Sequence, residues 1–194
     1  MMQAAFGRLF KIGRYHKSTS RRLVARLEGL ESRNLMAAGS VVQSGGLVTV
    51  TPASSGANVA IVSYQYVNGT TELDVNLNGN NFYFSLSQVG FVYYEGSGVG
   101  GSQTFQNTTS LHTIAWGGSG TNLVESSGNA QDEFFGGSGT NTFDAGSGFD
   151  MFIGGSGSNT FNESLTGSGA MLEVGANNTV NAPSGATGNY DVLP

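Results

Sequence analysis

Cysteine is absent from the 194 residues, so no disulfide framework or thiolate metal site is available, and cysteine usage says nothing about redox compartment. Cationic side chains are almost as scarce. All 8 Lys and Arg (Arg8, Lys11, Arg14, Lys17, Arg21, Arg22, Arg26 and Arg33) precede residue 34, and none follows. A body without a basic group cannot neutralise phosphates, which argues against nucleic-acid binding. It also lacks the cationic base or charge stabiliser that catalysis in a β-helix groove needs. Only 2 histidines are present, and the acid pair Asp132 and Glu133 sits on adjacent positions of one strand, pointing to opposite faces. No enzymatic activity is therefore expected. No apolar run approaches the roughly 20 residues of a membrane-spanning helix. Proline is rare (3 residues), whereas glycine is abundant (31), and the glycines recur with a period that separates the chain from disordered low-complexity sequence.

That period is clearest over residues 136–162, which read GGSGTNTFD, AGSGFDMFI, GGSGSNTFN: three nine-residue units without a gap. Glycines come first, Asn or Asp takes the sixth place, and Phe143, Phe152 or Phe161 the eighth. The glycines are expected to supply the positive φ angles of a tight turn, and a short strand then points one Phe inward. Such a unit cannot bury a core alone, so the units should stack as a solenoid. With single-residue insertions the frame extends over 98–194, with eighth-place residues Phe105, Ile114, Val124, Phe134, Phe143, Phe152, Phe161, Met171, Val180 and Tyr190. Trp116 falls at an insertion and reads as a structural plug.

Two units per coil sort the rungs into two sheets. One outer face is polar: Thr104/Gln106, Leu123/Glu125, Thr142/Asp144, Thr160/Asn162 and Thr179/Asn181. The other carries an apolar patch of Phe135, Met151, Ile153, Ala170 and Leu172, which predicts a protein or surface partner. The corners sort likewise. Gln103, Asn122, Asn141, Asn159 and Asn178 make one column, expected to be a ladder of mutual amide hydrogen bonds. His112, Asp132, Asp150, Gly169 and Gly188 make the other, in which only Asp132 and Asp150 are stacked carboxylates.

The unit GGSGTNTFD resembles the G-G-x-G-x-D-x-(apolar)-x nonapeptide of RTX (hemolysin-type) repeats, which form a calcium-binding parallel β-roll. That resemblance implies calcium held by sixth-place Asp side chains and turn carbonyls. It places the metal site at Asp132 and Asp150 with the carbonyls of Gly146 and Gly148, and two carboxylates imply weak binding. Solvated turn carboxylates are the alternative. Replacing both by Asn is expected to extend the neutral ladder and leave the fold intact or firmer.

The remaining chain divides in two. Residues 40–97 show strand alternation, with a hairpin centred on Asn78-Gly79 and Phe82, Phe84 and Leu86 on one face; this antiparallel sheet is expected to cap the roll of 98–194. Residues 1–39 form a basic, partly helical or disordered segment whose LEGLESRNLM resembles the LE-x-LE-x-R-x-L-L export segment of planctomycete surface proteins, departing from it at Met36. The resemblance implies export. An acidic, Lys-free body also suits a calcium-containing or salty exterior. The fold class expected is thus all-β, a parallel β-roll of nine- to ten-residue rungs. The function expected is that of a secreted or cell-surface, non-enzymatic β-roll with a structural or adhesive role and at most weak calcium binding. Two alternatives stand beside it: a calcium-dependent RTX module, and ice or crystalline-surface binding through the Thr104, Thr142, Thr160, Thr179 column.

Overall fold

A computed structural model describes residues 39–163, 170–174, 177–184 and 189–192. The basic segment 1–39, except Gly39, and the corner positions Gly169 and Gly188 lie outside them. The chain opens with a hairpin of β1 (Ser40–Ser44) and β2 (Leu47–Thr51), followed by an antiparallel meander of β3 (Asn58–Val67), β4 (Thr70–Leu77) and β5 (Asn80–Ser85). Both meander turns are Asn-Gly with φ positive at each residue (49° and 89° at Asn68 and Gly69, 52° and 84° at Asn78 and Gly79). These are the primed turns whose twist matches the flanking strands. A single 3-10 turn (Leu86–Gln88) leads into β6 (Phe91–Glu95), β7 (Gln103–Asn107), β8 (His112–Trp116) and β9 (Thr121–Ser126). Then come β10 (Asp132–Phe135), β11 (Thr140–Asp144), β12 (Asp150–Ile153), β13 (Ser158–Asn162), β14 (Ala170–Val174), β15 (Asn178–Asn181) and β16 (Asn189–Val192).

From β6 onward successive strands alternate between two 8-stranded sheets, ordered β1-β2-β6-β8-β10-β12-β14-β16 and β15-β13-β11-β9-β7-β3-β4-β5. The later pairings are parallel, so the chain winds as a β-solenoid. The winding begins earlier than residue 98, because β2 already pairs in parallel with β6 and β3 with β7. Residues 40–97 thus open the solenoid itself. Among the described strands only β1, β4 and β5 run antiparallel, continuing the sheets beyond the first parallel strands and covering their edges.

The inward column of the second sheet follows the sequence frame. Phe105, Val124, Phe143, Phe161 and Val180 are in register, and the first four are buried. In the first sheet Phe134 and Phe152 pair, their rings stacked at 5.2 Å, and Phe143 and Phe161 interleave from the opposite sheet. The frame slips by one residue in the strands on either side of this pair, β8 and β14, and is regained at Tyr190 of β16. Ala115, 1% exposed, takes the inward place beside Phe134 where Ile114 was expected, and Leu172 rather than Met171 aligns with Phe152. Ala115 stands between Tyr94 and Phe134 in the column, where a small residue leaves room for two rings. Three expectations fall with the slip. Thr113, not His112, continues the corner column from Asp132. Ala170 and Leu172 stand in register with Asp150 and Phe152, not with outward Met151 and Ile153 as expected. Trp116 is no plug but an outward residue, 39% exposed.

The repeat glycines have a different cause from the one expected. No described glycine from Gly90 to Gly157 has a φ in the left-handed region. Instead, a Cβ on Gly120, Gly139 or Gly157 would fall on the backbone carbonyl of Gly101, Gly120 or Gly139 in the preceding coil, well inside van der Waals contact. The glycines let one turn lie directly on the next.

Phe143→Ala and Phe152→Ala should each destabilise by about 3–5 kcal/mol, and outward Thr142→Ala by less than about 0.5 kcal/mol. Gly139→Ala should be as harmful as losing a Phe, whereas Gly98→Ala, whose Cβ meets nothing within 4 Å, should be close to neutral. Urea melts of the four variants measure this; equal cost at Gly98 and Gly139 would mean the glycines serve turn geometry rather than stacking.

Candidate functional site

The Asn corner is the best-ordered polar feature. Each sixth-place residue is the first or second of its strand, and the amides join end to end. Gln103 Nε2 donates to Asn122 Oδ1 (2.7 Å), Asn122 Nδ2 to Asn141 Oδ1 (2.7 Å), Asn141 Nδ2 to Asn159 Oδ1 (2.8 Å) and Asn159 Nδ2 to Asn178 Oδ1 (2.9 Å). At its upper end the Tyr94 hydroxyl donates to Gln103 Oε1 (3.1 Å). Every step is tied to its own turn as well: Asn141 Oδ1 accepts from Gly137 N (3.2 Å), and its Nδ2 reaches Gly137 O (3.0 Å) and Gly139 O (3.3 Å). The amide nitrogen of Asn141 is therefore surrounded by three oxygens, in the place a cation would take in an oxygen-lined turn. Its two N–H donors bring the needed polarity without net charge, and buried Asn122, Asn141 and Asn159 are left with no missing partner.

The second corner brings Asp132 and Asp150 together as stacked neighbours, both buried. Their oxygens are aimed at N–H groups. Asp150 Oδ1 accepts from Asp132 N (3.0 Å) and Oδ2 from Gly146 N (2.9 Å). Asp132 Oδ1 accepts from Thr113 N (2.9 Å), and both its oxygens lie near Asn107 Nδ2 (3.2 and 3.3 Å). Gly146 thus presents its N–H here, not the carbonyl that the RTX resemblance implies. A Cβ at Gly148 would fall on Ala130 O, so that residue serves the stacking of turns. Calcium needs roughly six to eight oxygens, whereas this corner offers two carboxylates whose lone pairs already face N–H donors. The donor set does not fit the ion, and among the described residues no group of three or more His, Cys, Asp or Glu is placed to hold a metal. Nor are these carboxylates solvated turn residues.

Burial pushes Asp150 up to about 6; the Asp132 N–H opposes this, the Asp132 charge adds to it, and the Gly146 N–H opposes it. Asp132 is raised as well, chiefly by burial. One residue of this corner, Asn107, escaped the nine-residue frame. Asn107 accepts from the N–H and hydroxyl of Thr109 (2.9 and 2.7 Å) and donates to Leu111 O (2.9 Å) and Thr113 Oγ1 (3.0 Å), linking two rungs. The signal that could have found it is the Asn-x-Thr of an Asx turn, one place beyond the frame.

The two outer faces differ as expected in polarity. On the second sheet Val59, Thr104, Leu123, Thr142, Thr160 and Thr179 form one column; beside it Asn181 Nδ2 donates to Asn162 Oδ1 (2.6 Å) and Asn162 Nδ2 to Asp144 Oδ1. On the first sheet Tyr93, Ile114 and Met151 share a column with Glu133, next to a column of Glu95, Trp116, Phe135 and Ile153. Trp116 and Phe135 stack at 4.4 Å with 11° between ring planes.

The raised Asp150 sets a sign for pH dependence. Its stability contribution is complete below its unfolded pKa near 3.8 and is lost as pH rises through about 6. Acidification from pH 7.5 to 4.5 should therefore firm the fold, by roughly 2 kcal/mol from this group. Asp150→Asn should flatten that rise. It should also cost about 1–3 kcal/mol at pH 5, because an amide NH2 must face either the Asp132 or the Gly146 N–H. This reverses the expectation that Asn would extend the ladder. Denaturant melts across the pH range measure both effects; an Asp150→Asn chain firmer than wild type at pH 5 would contradict the hydrogen-bond pattern.

Comparison of the chain with models of known protein families, with curated proteins and with solved structures gives no match in any of the three.

Proposed function

We propose that this protein is a non-enzymatic β-solenoid scaffold of the cell surface or surroundings, holding two unlike faces at fixed spacing for structural or adhesive contact. The observation that carries this reading is the use of the corners. In calcium-binding rolls of the kind the nonapeptide resembles, corner groups hold an ion; here the Asn column and both Asp side chains are spent on hydrogen bonds within their turns and between successive coils. What remains for function is the pair of broad sheet faces. Export is supported by the LEGLESRNLM segment and by the acidic body without Lys or Arg. No helix among the described residues is long and apolar enough to cross a membrane.

Fractionation of native cells into cytoplasm, envelope and medium, followed with an antibody to the body, tests the reading. Recovery in envelope or medium is expected, and confinement to the cytoplasm would overturn it. Thermolysin treatment of the purified protein adds a structural check. Turns tied into stacked coils are protected, so a resistant fragment beginning near Gly39 is expected, and cuts scattered through 98–162 would contradict a rigid scaffold.

A further inference from the structure

The outer face of the first sheet is more than an apolar surface. Its columns place Glu95 beside Trp116, with Phe135 on the next strand, and Glu133 between Ile114 and Met151. Trp116 is 39% exposed despite its stack on Phe135, and Tyr93, Ile114, Phe135, Met151 and Ile153 are only partly covered. The Glu95 carboxylate is held in place: Ser97 N donates to Oε1 (3.1 Å), the Ser97 hydroxyl also donates to Oε1, and the Tyr93 hydroxyl to Oε2. Burial alone would raise its pKa, but these hydrogen bonds together lower it, so the group stays ionised. The imidazole of His112 lies 3.8 Å from Glu133 Oε1. The face therefore sets fixed negative charge among aromatic and aliphatic side chains, with no Lys or Arg in the body to answer it.

We infer that this face docks a segment of another protein in which Arg or Lys alternates with apolar residues. The basic groups would reach Glu95 and Glu133 and the apolar ones would cover Trp116, Phe135, Met151 and Ile153. Charge chooses among occupants. A second copy of the body would bring carboxylates against carboxylates, and nucleic acid would bring phosphates to an acidic surface. A sugar would stack on a free ring face, but one indole face is taken by Phe135, and the strand carrying Glu95 lies on the other side. A basic segment instead meets an ionised carboxylate beside the rings, where its cation pairs with Glu95 while its apolar side chains cover the exposed ring edges. The inference rests on the scaffold reading and deepens it by giving the partner's chemistry. Its test is made on purified protein, so its outcome is independent of where the cell keeps the chain.

The experiment uses the full chain and three fluorescein-labelled peptides: Arg alternating with Leu, Glu alternating with Leu, and Arg alternating with Ser. Binding is read by anisotropy, and contact with the face by the emission of Trp116, the single tryptophan. The Arg-Leu peptide should bind, change Trp116 emission, and weaken several-fold as salt is raised; the other two should bind far more weakly. Glu95→Gln and Glu133→Gln should each weaken Arg-Leu binding by about three- to tenfold. Their circular dichroism should match wild type, and if one variant misfolds the other still decides. Equal binding of the Glu-Leu peptide, Arg-Leu binding without change at Trp116, or loss-free binding by both Gln variants would overturn the inference. Dimerisation in sedimentation that masks Trp116 and excludes the peptide would overturn it in favour of a second copy.

Discussion

The structure depends on one contact repeated from coil to coil: a side-chain amide nitrogen set among carbonyl oxygens. Asn141 Nδ2 meets Gly137 O, Gly139 O and Asn159 Oδ1 at 2.8–3.3 Å, and Asn122 and Asn159 repeat the arrangement. A turn that converges several backbone carbonyls in a buried corner must put something positive there. A cation is one solution; two amide N–H donors are another, and they bring no charge that must be desolvated. Because each amide donates to the next one and accepts the preceding one's N–H, the column sets register as well as spacing.

The other features follow from keeping coils at strand spacing with the amides in line. Turn residues must let the next coil's carbonyl occupy the volume of their own Cβ, which only glycine allows. The interior is one residue wide per strand, so the core becomes a column of rings, with Phe134, Phe143, Phe152 and Phe161 in mutual contact at 5.2–6.0 Å. At the Asp corner the same backbone geometry is met by a carboxylate that accepts N–H groups on both oxygens. That satisfies the turn but buries a charge, which makes this corner the titrating one.

Much of this was legible in the sequence, and its limits have a physical cause. The second sheet and its amide column were readable because most repeat strands there alternate a polar outer pair with one apolar inward residue, and alternation of that kind pins register. The first sheet was not, because its outer face is apolar too. In Thr113-Ile114-Ala115-Trp116 hydrophobicity favours Ile114 and Trp116 for the core, yet Ala115 is the buried residue, since Tyr94 and Phe134 flank it in the column. Ala170, Met171 and Leu172 posed the same ambiguity. The role of Asp150 was hidden for another reason: whether a turn offers N–H or C=O to a side chain depends on peptide orientation, to which residue identity is nearly blind.

Ion-free closure of the coils is the central claim, and far-UV circular dichroism melts in excess chelator and in millimolar calcium test it most directly. A folded β spectrum in chelator, with a melting midpoint the same as in calcium, is the predicted result. A chain that loses its β spectrum in chelator and regains it when calcium is restored would contradict the account, because it would place a cation where the amide and backbone N–H groups are found.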